Sequence, residues 1–129
     1  MNKSYNYKDV RETILAIIAL PTLIFIMLMT NTILGLVMPI TGIIFVAKNL
    51  FTKNSLVMTN TQIIIDELPF LEFRHFRKNI QMKEIKEVIF DADENIVLVA
   101  SEQITIYKRK LSESDYVDIK ESLQLLLKT

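Results

Sequence analysis

The first third of the chain contains an unusually long apolar run. No charged residue occurs from Thr13 to Ala47, and the cluster of polar residues Thr30-Asn31-Thr32 divides this run near its middle. A single helix over the whole run would be roughly 50 Å long at about 1.5 Å per residue, whereas a bilayer core is about 30 Å thick. Asn and Thr favour turns because their side chains bond the local backbone. The pattern therefore predicts a hairpin of two membrane-spanning helices, over residues 12–29 and 33–51.

The charged residues on either side of the run indicate its orientation. Lys3, Lys8 and Arg11 precede the first helix, and Lys48 and Lys53 lie at the end of the second. Positive residues stay on the cytoplasmic side of a membrane, so we expect a multi-pass protein of the bacterial cytoplasmic membrane with both termini in the cytoplasm. Three aromatic residues near the ends of the run are predicted to anchor it at the interface: Tyr5, Tyr7 and Phe51.

Two alternatives would also give an apolar N-terminal region. A cleaved signal peptide ends at a small-residue cleavage site, but large residues at positions 27–29 occupy the expected place and the apolar run continues beyond them. A buried helical hairpin of a soluble protein would need a domain large enough to cover two helices that are apolar on all sides. The remaining chain is too short to do this, so the membrane hairpin is the favoured interpretation.

The pattern changes after residue 54 to short alternating segments separated by polar turns. Ile80, Ile85, Val88 and Phe90 indicate either one bent strand or a strand that follows a short helical turn. Short strands joined by tight turns predict a meandering antiparallel sheet that is closed or nearly closed on itself. The other predicted strands are residues 55–59, 62–68, 70–76, 96–100 and 104–108, and the predicted turns are 60–61, 91–95 and 101–103.

The last segment is predicted to be an amphipathic helix over residues 113–128. Ser112 and Asp115 form the S-x-x-D pattern of a capping box. An apolar stripe at three- and four-residue steps follows, made by Tyr116, Ile119, Leu123 and Leu126. Such a stripe fits a partner-binding face or a core, and we expect it to be core that covers the sheet.

These elements give an α+β fold, and three segments resemble a known family. The segments are SLVMTNTQIIID, IQMKEIKEVIF and ITIYKRKLSESDYVDIKESLQLLL. They are similar to the bacterial pleckstrin-homology-like domains that follow a pair of N-terminal membrane helices. The resemblance implies a transmembrane hairpin over residues 1–52 and a cytoplasmic PH-like β-barrel or sandwich, capped by the C-terminal helix, over residues 53–129. It also implies an interaction module, because this family has no shared catalytic signature.

Composition and the polar residues exclude several kinds of chemistry. A net charge of zero argues against nucleic-acid binding driven by global charge, and the absence of cysteine excludes disulfides and thiolate metal sites. Catalysis by His75 would require an orienting carboxylate, and Glu72 is expected on the opposite side of an extended strand. Asp91, Asp93 and Glu94 lack the ligand series and the glycine of an EF-hand loop. We therefore expect no enzyme activity, no cofactor and no metal.

One cluster of basic residues is the candidate binding site: Arg74, Arg77, Lys78, Lys83 and Lys86, accompanied by Lys108, Arg109 and Lys110. Beside a membrane such residues can contact anionic headgroups. The alternative is a solvated rim that acidic neighbours partly neutralise. The expected function is a non-enzymatic, membrane-anchored scaffold that binds a protein partner, a second copy of itself as a homo-oligomer, or anionic lipid. A second hypothesis is an immunity protein against a membrane-active bacteriocin or peptide.

Overall fold

The structure is a computed structural model that describes residues 2–69 and 72–128. Its elements fall into two apolar helices near the N-terminus, seven strands and a C-terminal helix. In chain order they are β1 (Asn2–Asn6), α1 (Val10–Met29), α2 (Ile33–Phe51), β2 (Ser55–Thr59), β3 (Gln62–Glu67), β4 (Phe76–Gln81), β5 (Glu87–Phe90), β6 (Ile96–Val99), β7 (Gln103–Ile106) and α3 (Glu113–Lys128). Two short 3₁₀ turns, Met82–Glu84 and Lys108–Lys110, precede β5 and α3. The predicted mixed α+β class is confirmed.

The two apolar helices form the predicted hairpin. Thr32 caps α2 by accepting a hydrogen bond from the Gly35 backbone, so the polar cluster is indeed the turn between the helices. Most side chains of both helices point outward, and Ala16 is the one buried residue of α1. Both helices are long and apolar enough to cross a membrane. A core helix of a soluble protein would be mostly buried, so the structure does not favour that alternative.

The first strand was not predicted from the sequence. β1 pairs antiparallel with β2, from Asn2 opposite Thr59 to Asn6 opposite Ser55. Tyr5 and Tyr7 lie in the hydrophobic core, 6% and 1% exposed. The prediction that these two tyrosines anchor the hairpin at an interface is therefore wrong, because they fill the interior of the β-domain. Residues 2–6 belong to the sheet, although the predicted boundary at residue 52 groups them with the hairpin.

The hairpin consequently leaves and re-enters the sheet at neighbouring strands. Asn6 and Ser55 stand opposite each other at one end of β1 and β2, and the register continues through Asp66 of β3 to Arg77 of β4. We call this end of the molecule, where α1 begins and α2 ends, the base of the hairpin. The opposite end of the same sheet carries Asn2 and Gln81, and we call it the far end.

The strands form two antiparallel sheets, ordered β1-β2-β3-β4 and β5-β6-β7. The predicted single closed sheet is not formed, and the described residues contain no closed barrel. Between β4 and β5 the chain makes the 3₁₀ turn, which confirms the alternative of a strand after a short helical turn. The predicted strand over 70–76 differs: 70 and 71 lie outside the described residues, 72–75 are loop, and β4 begins at Phe76.

The core lies between the two sheets and is covered by α3. Ser112 Oγ accepts a hydrogen bond from the Asp115 backbone at 3.2 Å, as the capping box predicts. Tyr116, Ile119 and Leu123 are buried, and Leu126 packs against the same cluster. The interpretation of this stripe as core is confirmed.

Candidate functional site at the base of the hairpin

Short, hydrogen-bonded segments join the hairpin to the β-domain. The Tyr7 backbone donates to Asn54 O at 3.1 Å, and the Lys8 backbone donates to Lys110 O at 2.9 Å. The Lys8 ammonium donates to the carbonyls of Asn49 and Thr52 at the C-terminal end of α2, where a positive charge suits the helix dipole. Burial lowers the pKa of Lys8 below its ordinary value. The domain is therefore fastened to both helices rather than hung on a flexible linker.

The loop between β3 and β4 lies along the last turns of α2. Lys48 Nζ donates to Pro69 O at 3.0 Å and also to Glu72 O. The rings of Phe45 and Phe73 have centroids 5.1 Å apart, and the Lys48 ammonium sits 5.1 Å and 5.0 Å from these two centroids. Residue 45 is about 9 Å from the end of α2 along the helix axis. The loop therefore reaches beyond the base and up beside the apolar part of α2.

This loop presents an aromatic side chain next to unpaired positive charge. Phe73 is 66% exposed, and Arg74 and Arg77 are exposed as well. Neither arginine has an ion pair within residues 2–69 and 72–128. We call Phe73, Arg74 and Arg77 the α2-side surface. Together with Lys48, the two arginines outnumber the nearby carboxylates, which belong to Asp66 and Glu72. One of these carboxylates is in contact with a histidine: His75 Nδ1 lies 3.1 Å from Asp66 Oδ1.

The five predicted site residues are not brought together. Arg74 and Arg77 are at the base of the hairpin. Lys78 shares a strand face with the buried Ile80, because alternate residues point to opposite faces, so it lies on the other side of β4 from Arg77. Lys83 and Lys86 are exposed in the segment that follows β4 at the far end. The candidate cluster therefore reduces to its first two members.

The three basic residues before α3 are held by carboxylates. Arg109 Nε lies 3.5 Å from Asp9 Oδ2, Lys110 Nζ lies 2.8 Å from Glu67 Oε2, and Lys108 pairs with Glu94. The hydrogen bond from Lys108 holds the pKa of Glu94 below its usual value, and the same bond raises the pKa of Lys108. These cations join the 3₁₀ turn to the base of α1 and to β3.

A second polar contact fastens α3 to β1. The carboxylate of Asp118 accepts from Lys3 Nζ at 2.8 Å and from Tyr5 Oη at 2.7 Å. These bonds lower the pKa of Asp118. Burial and then the bond to Asp118 raise the pKa of Tyr5. The contact is structural, since it holds the N-terminal strand against the helix that covers the core.

The other polar candidates take part in local structure. The Asp91 carboxylate accepts from the backbone of Asp93 at 2.9 Å and from the backbone of Asn95 at 2.8 Å, which closes the turn between β5 and β6. Glu94 adopts a positive φ of 62° in this turn. Within the described ranges, no group of three or more acidic or histidine residues could hold a metal ion. His75 contacts Asp66, a carboxylate that the sequence analysis did not consider as its partner.

Sequence reasoning missed Phe45, Lys48 and Phe73 as parts of a site. In the sequence, Phe45 and Lys48 look like ordinary residues near the end of a helix. Their contacts with the β3–β4 loop join residues that are distant in the chain, so no local pattern indicates them. The available signal was the alternation of aromatic and basic residues in FLEFRHFRK, which is unusual for a solvent-exposed loop. Comparison of the chain with protein-family models, with curated proteins and with solved structures finds no match.

Proposed function

We propose that this chain is a non-enzymatic, membrane-anchored module with a PH-like β-domain that engages anionic lipid headgroups through the α2-side surface. In this proposal the hairpin crosses a bacterial cytoplasmic membrane twice, with the β-domain and both termini on the cytoplasmic face. The Thr30-Asn31-Thr32 turn then lies on the opposite face.

The observation that carries the proposal is the position of the β3–β4 loop. The loop is tied to Lys48 and Phe45 of α2, and Lys48 is the first charged residue after the apolar run. If α2 crosses the bilayer, Phe73 lies at the boundary between headgroups and acyl chains, and Arg74 and Arg77 lie at the headgroups. The Phe73 ring supplies apolar surface to the acyl chains at this boundary, and each basic residue near an anionic surface contributes about 1 kcal/mol.

The arrangement of elements supports both the PH-like domain and its orientation. Two antiparallel sheets with a C-terminal helix over the core are compatible with the sandwich alternative that the sequence resemblance implies. Because β1 and β2 are neighbours, both ends of the hairpin start from the same side. This connectivity agrees with the expectation that Lys8, Arg11 and Lys48 all lie on the same side of the membrane.

The absence of tryptophan from the chain allows a direct test of loop depth. We would introduce Phe73→Trp into the full-length protein and reconstitute it in vesicles that contain phosphatidylglycerol. The expected result is blue-shifted emission and strong quenching by lipids brominated near the top of their acyl chains. In this background, Arg74→Gln with Arg77→Gln should weaken the dependence of quenching on phosphatidylglycerol content.

Two controls make the test specific. Leu125→Trp places a probe of similar exposure, 69% against 66% for Phe73, in the part of α3 that runs away from the base, and it should not be quenched. Lys78→Gln removes one positive charge from the other face of β4 and should leave the lipid dependence unchanged. Equal, weak quenching of both probes would contradict the proposal.

Binding of a protein partner is a second candidate function, favoured by the position of β4. This strand is an edge of the four-stranded sheet, and its residues are exposed except for Ile80. An extended partner segment can add to such an edge through backbone hydrogen bonds. The immunity hypothesis stays a prediction that depends on architecture alone.

A further inference from the structure

We infer that a second lipid site lies on the other side of the hairpin base, and that it takes a zwitterionic headgroup, the phosphoethanolamine group of a membrane lipid. The inference rests on the proposed membrane crossing and deepens it. The site is a cleft of about 550 Å³ between the start of α1, the β5–β6 turn and the 3₁₀ turn before α3. It is lined by Arg11, Asp93, Asn95, Tyr107, Lys108 and Arg109.

The cleft lies at the level where headgroups would be. Arg11 is in the first turn of α1, two residues before the apolar run begins at Thr13. Its backbone donates to Asp9 Oδ1 at 2.9 Å, and the other oxygen of the same carboxylate receives Arg109. Two residues of helix rise about 3 Å, so both guanidinium groups would be close to the phosphate layer of the facing leaflet.

Arg109 is oriented in advance to bind a phosphate. Its Nε is turned towards Asp9, and its guanidinium lies 5.1 Å from the centroid of the Tyr107 ring. The side chain is nevertheless 61% exposed, so the two terminal nitrogens are available. A guanidinium that keeps two parallel donors free matches two phosphate oxygens, and prior fixation lowers the entropy lost on binding.

The balance of charge in the cleft favours a zwitterion over an anion. Lys108 and Arg109 are already paired with Glu94 and Asp9. Arg11 and Asp93 are exposed, and their side chains have no ion pair or hydrogen bond with the residues that the structure describes. One positive and one negative side chain therefore remain, which matches a phosphate beside an ammonium. Beside the α2-side surface, two cations without an ion pair among the described residues, Arg74 and Arg77, outnumber the one such carboxylate, Glu72, so the two sites should select different lipids.

The test compares lipids retained by the full-length protein. We would reconstitute it in nanodiscs with equal phosphatidylethanolamine and phosphatidylglycerol, release it in mild detergent, and identify bound lipids by native mass spectrometry. Wild type should retain phosphatidylethanolamine. Arg11→Gln and Asp93→Asn should each reduce that retention about fivefold, the factor that corresponds to about 1 kcal/mol per charge. Both side chains are exposed and unpaired, so neither variant should unfold the domain.

The controls separate this inference from the proposed function. Lys83→Gln makes the same charge change as Arg11→Gln at the far end and should leave phosphatidylethanolamine retention unchanged. Retention of phosphatidylglycerol and quenching of Phe73→Trp report the α2-side surface and not the cleft. The proposed function can therefore fail in these measurements while the inference about the cleft holds, or the reverse. The inference is overturned if wild type retains no phosphatidylethanolamine, or if both cleft variants retain it as wild type does.

Discussion

The two sides of the hairpin base use their basic residues differently. On the α1 side, Arg109 and Lys110 are each held by a carboxylate from another element, and Lys8 covers the carbonyls at the end of α2. On the α2 side, Arg74 and Arg77 lie next to an exposed phenylalanine and have no ion pair among the described residues. Most positive charge on the α1 side is used within the fold, with Arg11 the exception among the described residues, and on the α2 side it remains available.

This difference teaches that the density of Lys and Arg in a sequence does not identify a binding surface. KRK at 108–110 is the densest basic stretch in the chain, yet each of its residues already has an acidic partner. A paired cation contributes to stability, and an unpaired one contributes to the local potential that a ligand meets. Substitutions of the paired cations on the α1 side should therefore change stability, whereas those of the unpaired arginines on the α2 side should change lipid contact.

The largest expected effect is on the α1 side, at Tyr7. Its ring is fully buried, its hydroxyl oxygen accepts from the Tyr107 backbone at 2.9 Å, and Lys110 lies over the ring. Tyr7→Ala should lower the free energy of unfolding by about 3–5 kcal/mol because it leaves a cavity in the core. Chemical denaturation of the full-length protein in detergent micelles measures this loss. Tyr7→Phe keeps the ring and should cost only about 1 kcal/mol; equal losses would show that the ring is not the important part.

A smaller effect is expected from breaking the ion pair between Lys110 and Glu67, whose side chains are 17% and 27% exposed. Lys110→Met leaves a partly buried carboxylate without its partner and should lower stability by about 1–3 kcal/mol. Adding Glu67→Gln should recover part of the loss in the same denaturation measurement. The matched control is Lys83→Met, which removes an exposed lysine that has no ion pair among the described residues. If it destabilises the protein as much as Lys110→Met, pairing does not distinguish the two kinds of lysine.

The smallest effect on stability is expected on the α2 side. Arg74→Gln and Arg77→Gln should each change the free energy of unfolding by less than about 0.5 kcal/mol, because they remove no described ion pair from an exposed position. The same two substitutions are the ones expected to weaken lipid contact. A loss of stability above about 1 kcal/mol would mean that these arginines are structural, and the two sides of the base would then be alike.

Local patterns predicted most of the elements. The polar break at 30–32 gave the hairpin turn, and the capping box at Ser112 gave the start of α3, whose predicted and observed bounds agree. The turn at 91–95 was also readable, because Asp91 closes it with bonds to residues only a few positions away. In each case the side chains that determine the structure are neighbours in the chain.

The missed features depend on residues that are distant in the chain. β1 is short and mostly polar, and its partner β2 follows only after the whole hairpin. Its one local signal was the alternation of Tyr5 and Tyr7, which fits a strand as well as an interface anchor. The α2-side surface depends on a contact between Phe45 and Phe73, which local sequence patterns do not reveal. The five basic candidates lie apart because β4 runs from the base to the far end, and the candidates are spread before, along and after it.

The position of the hairpin between β1 and β2 constrains how this protein can be made and divided. The first strand leaves the ribosome before its partner exists, so its pairing must wait until both helices and β2 have been synthesised. A fragment that starts at residue 53 would lack β1 together with Tyr5 and Tyr7, and would expose the core where they belong. A soluble version needs a different cut: Asn6 and Ser55 are opposite each other, about 5 Å apart, so a tight two-residue turn in place of the hairpin would keep every strand.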